Sequence, residues 1–338
     1  MRAAVLKEIG KPLQIETVDD PTPGPGEMIV RVRGSGICGS DLHWAQLGMG
    51  VGPGQILGHE FSGEVVELGR DAGDRFRLGD RVCSIPFIGC GRCRACLSGD
   101  VTACDQAVAT GLRAPGAYAE FVKVGTAEAL HLPEAVSDRQ GALVEPLAVG
   151  LHAVAQAAPP PGARVLLIGA GPIGLAVALW SRFFGASAIV VSERSGARRD
   201  LSGRFGATDV IDPTAEEVLP AFEAKTGGPP DLIYECVGVP GLLQECLGLA
   251  PRRSRVVVVG VCMEPDTILP FVAMSKELTV QFVIAYEKRD FELAIAMIDQ
   301  GRIASDEMIT DVVGFDAFSQ AFEALKRPTT QCKVMLEP

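Results

Sequence analysis

The run Gly169-Ala170-Gly171-Pro172-Ile173-Gly174, entered directly from the apolar stretch Val165-Leu166-Leu167-Ile168, constrains this chain more than any other feature. A helical pattern follows it. In a strand–turn–helix of this kind the first glycine permits the tight turn and the second lets an anionic group approach the backbone. The third lets helix and strand pack closely. The helix start then offers amide hydrogens and a positive dipole end to a pyrophosphate. Gly169, Gly171, Pro172, Ile173 and Gly174 are therefore candidate cofactor contacts. Glu193 lies 19 residues beyond Gly174, at the end of the next apolar run, where a carboxylate can accept from a ribose 2′-hydroxyl. The bland alternative is a glycine-rich structural turn with a solvated Glu193. A carboxylate at that place repels a 2′-phosphate, which favours NAD over NADP. Arg194, Arg198 and Arg199 pull the other way, since one of them could bind a phosphate or stack on adenine. They could equally form the solvated face of a helix. We take Arg198 as a cofactor contact and Arg199 as a solvated helix residue.

Around this motif short β-branched runs alternate with helix-like segments. Strands are expected at residues 164–168, 188–192, 209–211, 231–235, 255–260 and 278–283. That alternation means a parallel sheet with helices on both faces. Residues 143–158 read as a helix that Pro159-Pro160-Pro161-Gly162 stops. Upstream the pattern is different. β-prone runs such as Met28-Ile29-Val30-Arg31-Val32 and Gly63-Glu64-Val65-Val66-Glu67-Leu68 are punctuated by glycine and proline, which suits a partly closed barrel. A helix is expected at residues 290–300, and residues 332–336 are again β-prone. The expected organisation is a doubly wound α/β domain of residues 151–283, inserted into a β-rich domain of residues 1–150 and 284–338. A chain of 338 residues has room for those two cores.

Four of the ten cysteines crowd into one segment, Cys90-x2-Cys93-x2-Cys96-x7-Cys104. Two-residue gaps let successive sulfurs point inward from a tight loop, and the longer gap closes a fourth corner around a tetrahedral ion. Four thiolates leave no open coordination position, so a zinc ion here would be structural. Cys83, Cys236, Cys246, Cys262 and Cys332 are scattered and read as small apolar residues. A second candidate site joins Cys38, His59, Glu60 and Glu145, a mixed set of thiolate, imidazole and carboxylate of the kind that holds a catalytic zinc with an exchangeable position. Spacing alone leaves the alternative open that Cys38 is a core residue and His59 a satisfied structural histidine. His131 and His152 have no such company and read as structural.

Taken in order, the segments Gly36-Ile37-Cys38-Gly39-Ser40-Asp41-Leu42-His43, Gly58-His59-Glu60, the four-cysteine loop, Glu145-Pro146-Leu147-Ala148-Val149-Gly150 and the glycine motif resemble the zinc-containing medium-chain dehydrogenases. The likeness is to the sorbitol, threonine and butanediol dehydrogenase branch. The resemblance implies a GroES-like catalytic domain and a Rossmann domain, with the active site in the cleft between them. It implies two zinc ions per chain, NAD, and a catalytic zinc held by Cys38, His59 and Glu60. Glu145 stands where other alcohol dehydrogenases carry a second cysteine, and would bind the metal directly or through water. The implied reaction interconverts an alcohol and a ketone: zinc polarises the substrate oxygen and hydride passes to the nicotinamide. Ser40 matches the family's hydroxyl beside the substrate oxygen. His43 matches the residue that passes the proton outward, a role that suits an imidazole near neutral pH. An ordinary turn hydroxyl and a surface histidine are the plain alternatives for these two.

The polyol enzymes of this branch carry a Phe-Arg-Tyr-like segment where this chain reads Gln281-Phe282-Val283-Ile284-Ala285-Tyr286, without the arginine. Trp44, Leu47, Met49 and Phe271 could line an apolar pocket or simply be core. The substrate expected is a relatively apolar secondary alcohol or ketone, with polyols or threonine as the alternative. A non-catalytic NAD-binding redox sensor would need neither the zinc ligands nor Ser40 and His43, and a zinc-free quinone reductase should lack the four-cysteine loop. A net charge of −11 argues against a nucleic-acid surface. Met1-Arg2-Ala3-Ala4-Val5-Leu6-Lys7-Glu8 reaches charged residues before any long apolar run, and residues 163–179 are broken by glycine and proline. Neither a signal peptide nor a membrane span is expected, and the expectation is a cytoplasmic homodimer or homotetramer.

Overall fold

In the computed structural model, which describes residues 1–327 and 330–338, the chain divides into two compact units. One is Met1–Ala148 with Tyr286–Pro338; the other is Val149–Ala285. Among the described residues no helix is long and apolar enough to cross a membrane.

In the unit Val149–Ala285, six strands form one sheet in the order Asp209–Ile211, Ala188–Ser192, Arg164–Ile168, Leu232–Glu235, Arg255–Val258, Thr279–Phe282. Every neighbouring pair is parallel. Counted along the chain the order is 3-2-1-4-5-6, the dinucleotide-binding arrangement. Its winding reverses between Arg164–Ile168 and Leu232–Glu235, which opens a crevice at the carboxyl ends of these strands. The last three strands are one or two residues shorter than expected from the sequence. Leu166, Val190, Ile211, Phe222, Ile233 and Val256 pack into one buried cluster on the sheet. Helix Pro172–Phe183 begins with a proline in its first turn, where the missing amide hydrogen costs no intrahelical bond. Its residues Gly174 to Ser181 are all buried.

In the other unit, strand Glu27–Gly36 lies at the centre of the larger sheet. It pairs antiparallel with Glu60–Leu68, with Phe121–Gly125 and with the C-terminal strand Lys333–Leu336. The register sets Gly36 opposite Glu60 on one side and opposite Met335 on the other. A smaller sheet orders Gln14–Thr17, Arg2–Leu6 and Gln55–Ile56. Tyr118, Phe318, Phe322, Leu6 and Leu57 share a buried cluster that joins this sheet to helix Phe315–Ala324.

Helix Asp138–Ala157 starts earlier than expected and runs through Pro146. Its start has a physical signature: the Ser137 amide donates to Gln140 Oε1 at 2.9 Å and the Gln140 amide to Ser137 Oγ at 3.2 Å. These are the reciprocal bonds of a capping box. A proline in a helix interior costs about 3 kcal/mol. Here Ala142, Leu143, Val144, Leu147 and Ala148 around it are fully buried, and that packing overrides the local preference.

Candidate metal centres and cofactor site

The four-cysteine loop folds so that the sulfurs of Cys90, Cys93, Cys96 and Cys104 lie within 4.8 Å of one another. Cys90 Sγ and Cys96 Sγ are 3.9 Å apart. That is far beyond a disulfide bond, and close to the edge of about 3.8 Å that a tetrahedron with Zn–S bonds of about 2.3 Å requires. Amide hydrogens of Arg92 and Cys93 pull the Cys90 thiol down to about 6. Burial pushes Cys96 up to about 12. Four crowded thiols cannot all ionise unless a cation joins them, and a zinc ion fits both the spacing and the chemistry. Glu128, itself buried, accepts from the Gly89 amide at 3.1 Å and so ties the loop to the strand Ala129–His131 that follows it.

The second cluster comes from three places in the unit Met1–Ala148 with Tyr286–Pro338. Cys38 caps helix Gly39–Leu47, His59 follows the positive-φ turn at Gly58, and Glu60 opens strand Glu60–Leu68. One ligand atom from each lies within 4.8 Å of the others. Glu145 is outside that group. It is buried alongside and hydrogen-bonded by the Tyr286 hydroxyl. Burial pushes its carboxyl up to about 7, with His59 drawing it down and Glu60 pushing it further up.

His59 and Glu60 each stand against a neighbour that motif spacing does not reveal. Asp41, fully buried, has Oδ1 3.3 Å from His59 Nδ1, which leaves Nε2 to face a metal. Burial acts against the His59 cation, but Asp41 and Cys38 together outweigh it and raise the imidazole well above its usual value. Lys333, also fully buried, donates to both Glu60 oxygens at 2.7 and 2.6 Å and to Ile37 O at 3.0 Å. Gly36 makes room for that pair, since a Cβ there would lie 2.1 Å from Glu60 Oε2. The cluster gathers a thiol and the carboxyls of Asp41, Glu60 and Glu145 against Lys333 and an imidazole. This excess of buried acid fits a divalent cation. Sequence reasoning missed Asp41, Lys333 and Tyr286; a lysine inside the apolar run Cys332-Lys333-Val334-Met335-Leu336 was the available signal.

Ser40 and His43 share helix Gly39–Leu47. Ser40 Oγ donates to Cys38 Sγ at 3.2 Å, and His43 is exposed one turn further on. Trp44 on the same helix stands 5.5 Å from His59, ring centre to ring centre. Leu47, Met49 and Phe271 are exposed rather than core. His131 Nε2 lies 3.0 Å from Arg75 O, in keeping with a structural role.

In the unit Val149–Ala285 the glycine motif has the geometry its residues demand. Gly169 has φ +96°, and a Cβ on Gly174 would lie 2.1 Å from Gly169 O. Gly171 caps the helix ahead of Pro172 and Ile173. A Cβ there would meet only Arg198 Nη1, at 4.0 Å, so Arg198 reaches the phosphate loop. Glu193 accepts from the Ala170 amide through Oε2 and from the Ser195 amide through Oε1, both at 2.8 Å. It therefore stands at the loop rather than in open solvent. Arg199 is not on a solvated helix face: it donates to Glu193 O and Arg194 O and pairs with Asp212 at 2.8 Å. Those three partners brace the turn after strand Ala188–Ser192.

Residues 24–134 match the family model of the alcohol dehydrogenase GroES-like domain, and residues 172–300 match that of the zinc-binding dehydrogenases. Sorbitol dehydrogenase of Bacillus subtilis (strain 168) is 31% identical over 100% of this chain and 97% of its own length. Two solved structures each cover 100% of this chain and are themselves 99% covered. A zinc-binding dehydrogenase from Sinorhizobium meliloti 1021 bound to NADP has a TM-score of 0.88 at 32% identity. A short chain alcohol dehydrogenase from Escherichia coli CFT073 complexed with NADH has a TM-score of 0.89 at 28% identity.

Proposed function

Because this chain belongs to the zinc-binding alcohol dehydrogenase family, with a GroES-like and a Rossmann domain, we propose that it oxidises an alcohol to a ketone with NAD. Cys38, His59 and Glu60 hold the catalytic zinc, with Glu145 beside it, and Cys90, Cys93, Cys96 and Cys104 hold a structural one. The convergence of the first three ligand atoms within 4.8 Å, with Asp41 behind His59, carries this proposal. When bound, zinc supplies Lewis acidity at the alcohol oxygen and NAD supplies the hydride acceptor. The residues do the rest. Ser40 would accept the alcohol's proton while its own hydroxyl hydrogen, here donated to Cys38 Sγ, turns to His43, which would pass a proton to solvent. The phosphate-loop residues Gly169, Gly171, Pro172, Ile173 and Gly174 receive the pyrophosphate, and Arg198 adds positive charge there. Glu193 accepts from the adenosine ribose and disfavours a 2′-phosphate, which supports NAD.

A relatively apolar secondary alcohol fits the Trp44 ring beside His59 and the Tyr286 position, where no arginine is present to bind a polyol. A turnover panel of polyols, threonine and short secondary alcohols tests this, and a strong preference for sorbitol would contradict it. Cys38→Ser should abolish turnover and remove one zinc while the other stays bound. Unchanged activity after that loss would overturn the site assignment.

Homodimerisation is supported by the outer strand Thr279–Phe282, whose neighbourhood leaves Phe271, Met274, Phe282 and Ile284 exposed. An open strand edge flanked by apolar side chains pairs readily with a second copy. Phe282→Glu should shift sedimentation towards the monomer; an unchanged value would exclude this edge.

A further inference from the structure

Behind His59 lies a polar chain that ends on a tyrosine. Asp41 is fully buried, and its carboxylate has four neighbours. Oδ1 lies 3.3 Å from the Gly58 amide and 3.3 Å from His59 Nδ1; Oδ2 lies 3.3 Å from the Cys38 amide and 2.5 Å from the Tyr118 hydroxyl. The tyrosine bond is by far the shortest. Tyr118 is itself fully buried, packed against Phe318 and Phe322 at ring-centre distances of 4.8 and 6.2 Å. A phenylalanine would fill that apolar space equally well. Burying a hydroxyl there costs free energy unless it is bonded, and the Asp41 bond offsets that cost. The hydroxyl is also 3.3 Å from Gly36 O, but a phenol has one hydrogen to give and the shorter contact takes it.

Tyr118 controls the approach to His59 in a second way. A Cβ on Gly58 would lie 2.6 Å from its ring, and the Tyr118 amide donates to Leu57 O at 3.0 Å. The turn that delivers His59 is therefore built against this side chain. Burial, together with Asp41, raises the phenol well above its usual value, so it stays a donor at every working pH. The Cys38 and Gly58 amides reach one carboxylate oxygen each, and the phenol adds a third donor, on Oδ2, that further restricts its rotation. Asp41 Oδ1, 3.3 Å from Nδ1, is a negative charge that favours a hydrogen on that nitrogen, with Nε2 free for a metal.

From this geometry we infer that Tyr118 is a positioning residue for the metal-binding histidine, acting through Asp41. The inference rests on the catalytic-zinc assignment proposed above. Tyr118→Phe removes one oxygen and preserves the packing, which makes it the test variant. Zinc-loaded full-length protein is titrated with a chelator while released zinc is counted, and the cobalt-substituted protein is followed by its thiolate-to-metal absorption.

Outer partners of metal-binding histidines contribute about 10–100-fold in metal affinity. Tyr118→Phe should therefore weaken one zinc by about tenfold, leave the four-thiolate zinc unchanged and shift the cobalt spectrum. Asp41→Asn should weaken the same zinc by at least as much, and the double variant no further than Asp41→Asn alone. Wild-type affinity and spectrum in Tyr118→Phe would overturn the inference. So would both zincs weakening together with a lowered melting temperature, since that marks a packing role only. Additive losses in the double variant would also overturn it. A wild-type protein that holds one zinc, or a Cys38→Ser variant that keeps two, would instead overturn the underlying site assignment.

Discussion

Lys333→Met removes the cation paired with Glu60 and keeps most of the volume of the stem. The two side chains are each 1% exposed, and Nζ reaches both carboxylate oxygens at 2.7 and 2.6 Å. Deleting one member of a buried ion pair leaves an uncompensated charge, at about 3–5 kcal/mol. A second route gives a similar figure. A buried carboxylate that loses its partner can take up a proton. Holding a carboxyl with a reference value of about 4.3 neutral at pH 7 costs about 3.7 kcal/mol, at about 1.36 kcal/mol per unit. The expected loss is therefore about 3–4 kcal/mol. Urea unfolding in excess chelator measures it, because then no metal ion can stand in for the lysine. The chain has two tryptophans, one in each unit. A Trp180→Phe background leaves Trp44, beside His59, as the reporter of the unit that matters. Replacing both Lys333 and Glu60 by methionine should recover most of the loss, since a buried pair exchanged for apolar groups is often neutral. If Lys333→Met alone unfolds within about 1 kcal/mol of its parent, the pair contributes no more than an exposed one and the reasoning is wrong.

Zinc binding at the Cys38–His59–Glu60 cluster should release protons at pH 7, because the imidazole, raised above its usual value, gives one up when it becomes a ligand. Titration calorimetry in buffers of different ionisation enthalpy counts them; affinity should rise with pH, and buffer-independent heats would refute this. In metal-free protein the same imidazole has the opposite sign: its stabilisation is present below about 6.5 and fades as pH rises through the raised folded value. Glu193→Ala removes a charged acceptor with two 2.8 Å amide bonds and should weaken NAD by about 1.5–3 kcal/mol, or about 10–150-fold, while narrowing the gap to NADP. Equal NAD affinity by fluorescence titration would exclude Glu193 from the cofactor site. Cys104→Ser should lower the zinc content by one ion and open the 90–104 loop to protease, and two retained zinc ions would count against the four-thiolate site.

What the sequence made legible is what backbone geometry or ligand number writes into local spacing. Gly169 and Gly174 could be read because a positive φ and a 2.1 Å approach leave no other residue possible. The cysteine loop could be read because tetrahedral thiolate ligation needs close, regular intervals. The early start of helix Asp138–Ala157 was present as Ser137 and Gln140, but Pro146 spoke locally for an interruption and only the burial around it decides otherwise. Asp41 lies 18 residues before His59, and Lys333 lies 273 residues after Glu60. Such partners meet through sheet register, here Gly36 opposite both Glu60 and Met335, and register is a property of the whole fold.

The same partners explain why this cluster can be both buried and reactive. A metal site made only of anions would be expensive to bury empty and would hold a cation too tightly to adapt. Here Lys333 donates to both oxygens of Glu60, so that carboxylate is paired without a cation, and each oxygen keeps a lone pair for one. Asp41 lies 3.3 Å from His59 Nδ1, so a protonated imidazole, or one polarised by a metal, would offset its charge. That leaves Glu145, the carboxyl pushed up to about 7, as a group whose charge can still change near neutrality. Fixed charges thus surround one carboxyl that is adjustable. A carboxyl at this place, in contrast to a second thiolate, can take a proton or a water molecule without losing its hydrogen bond from Tyr286.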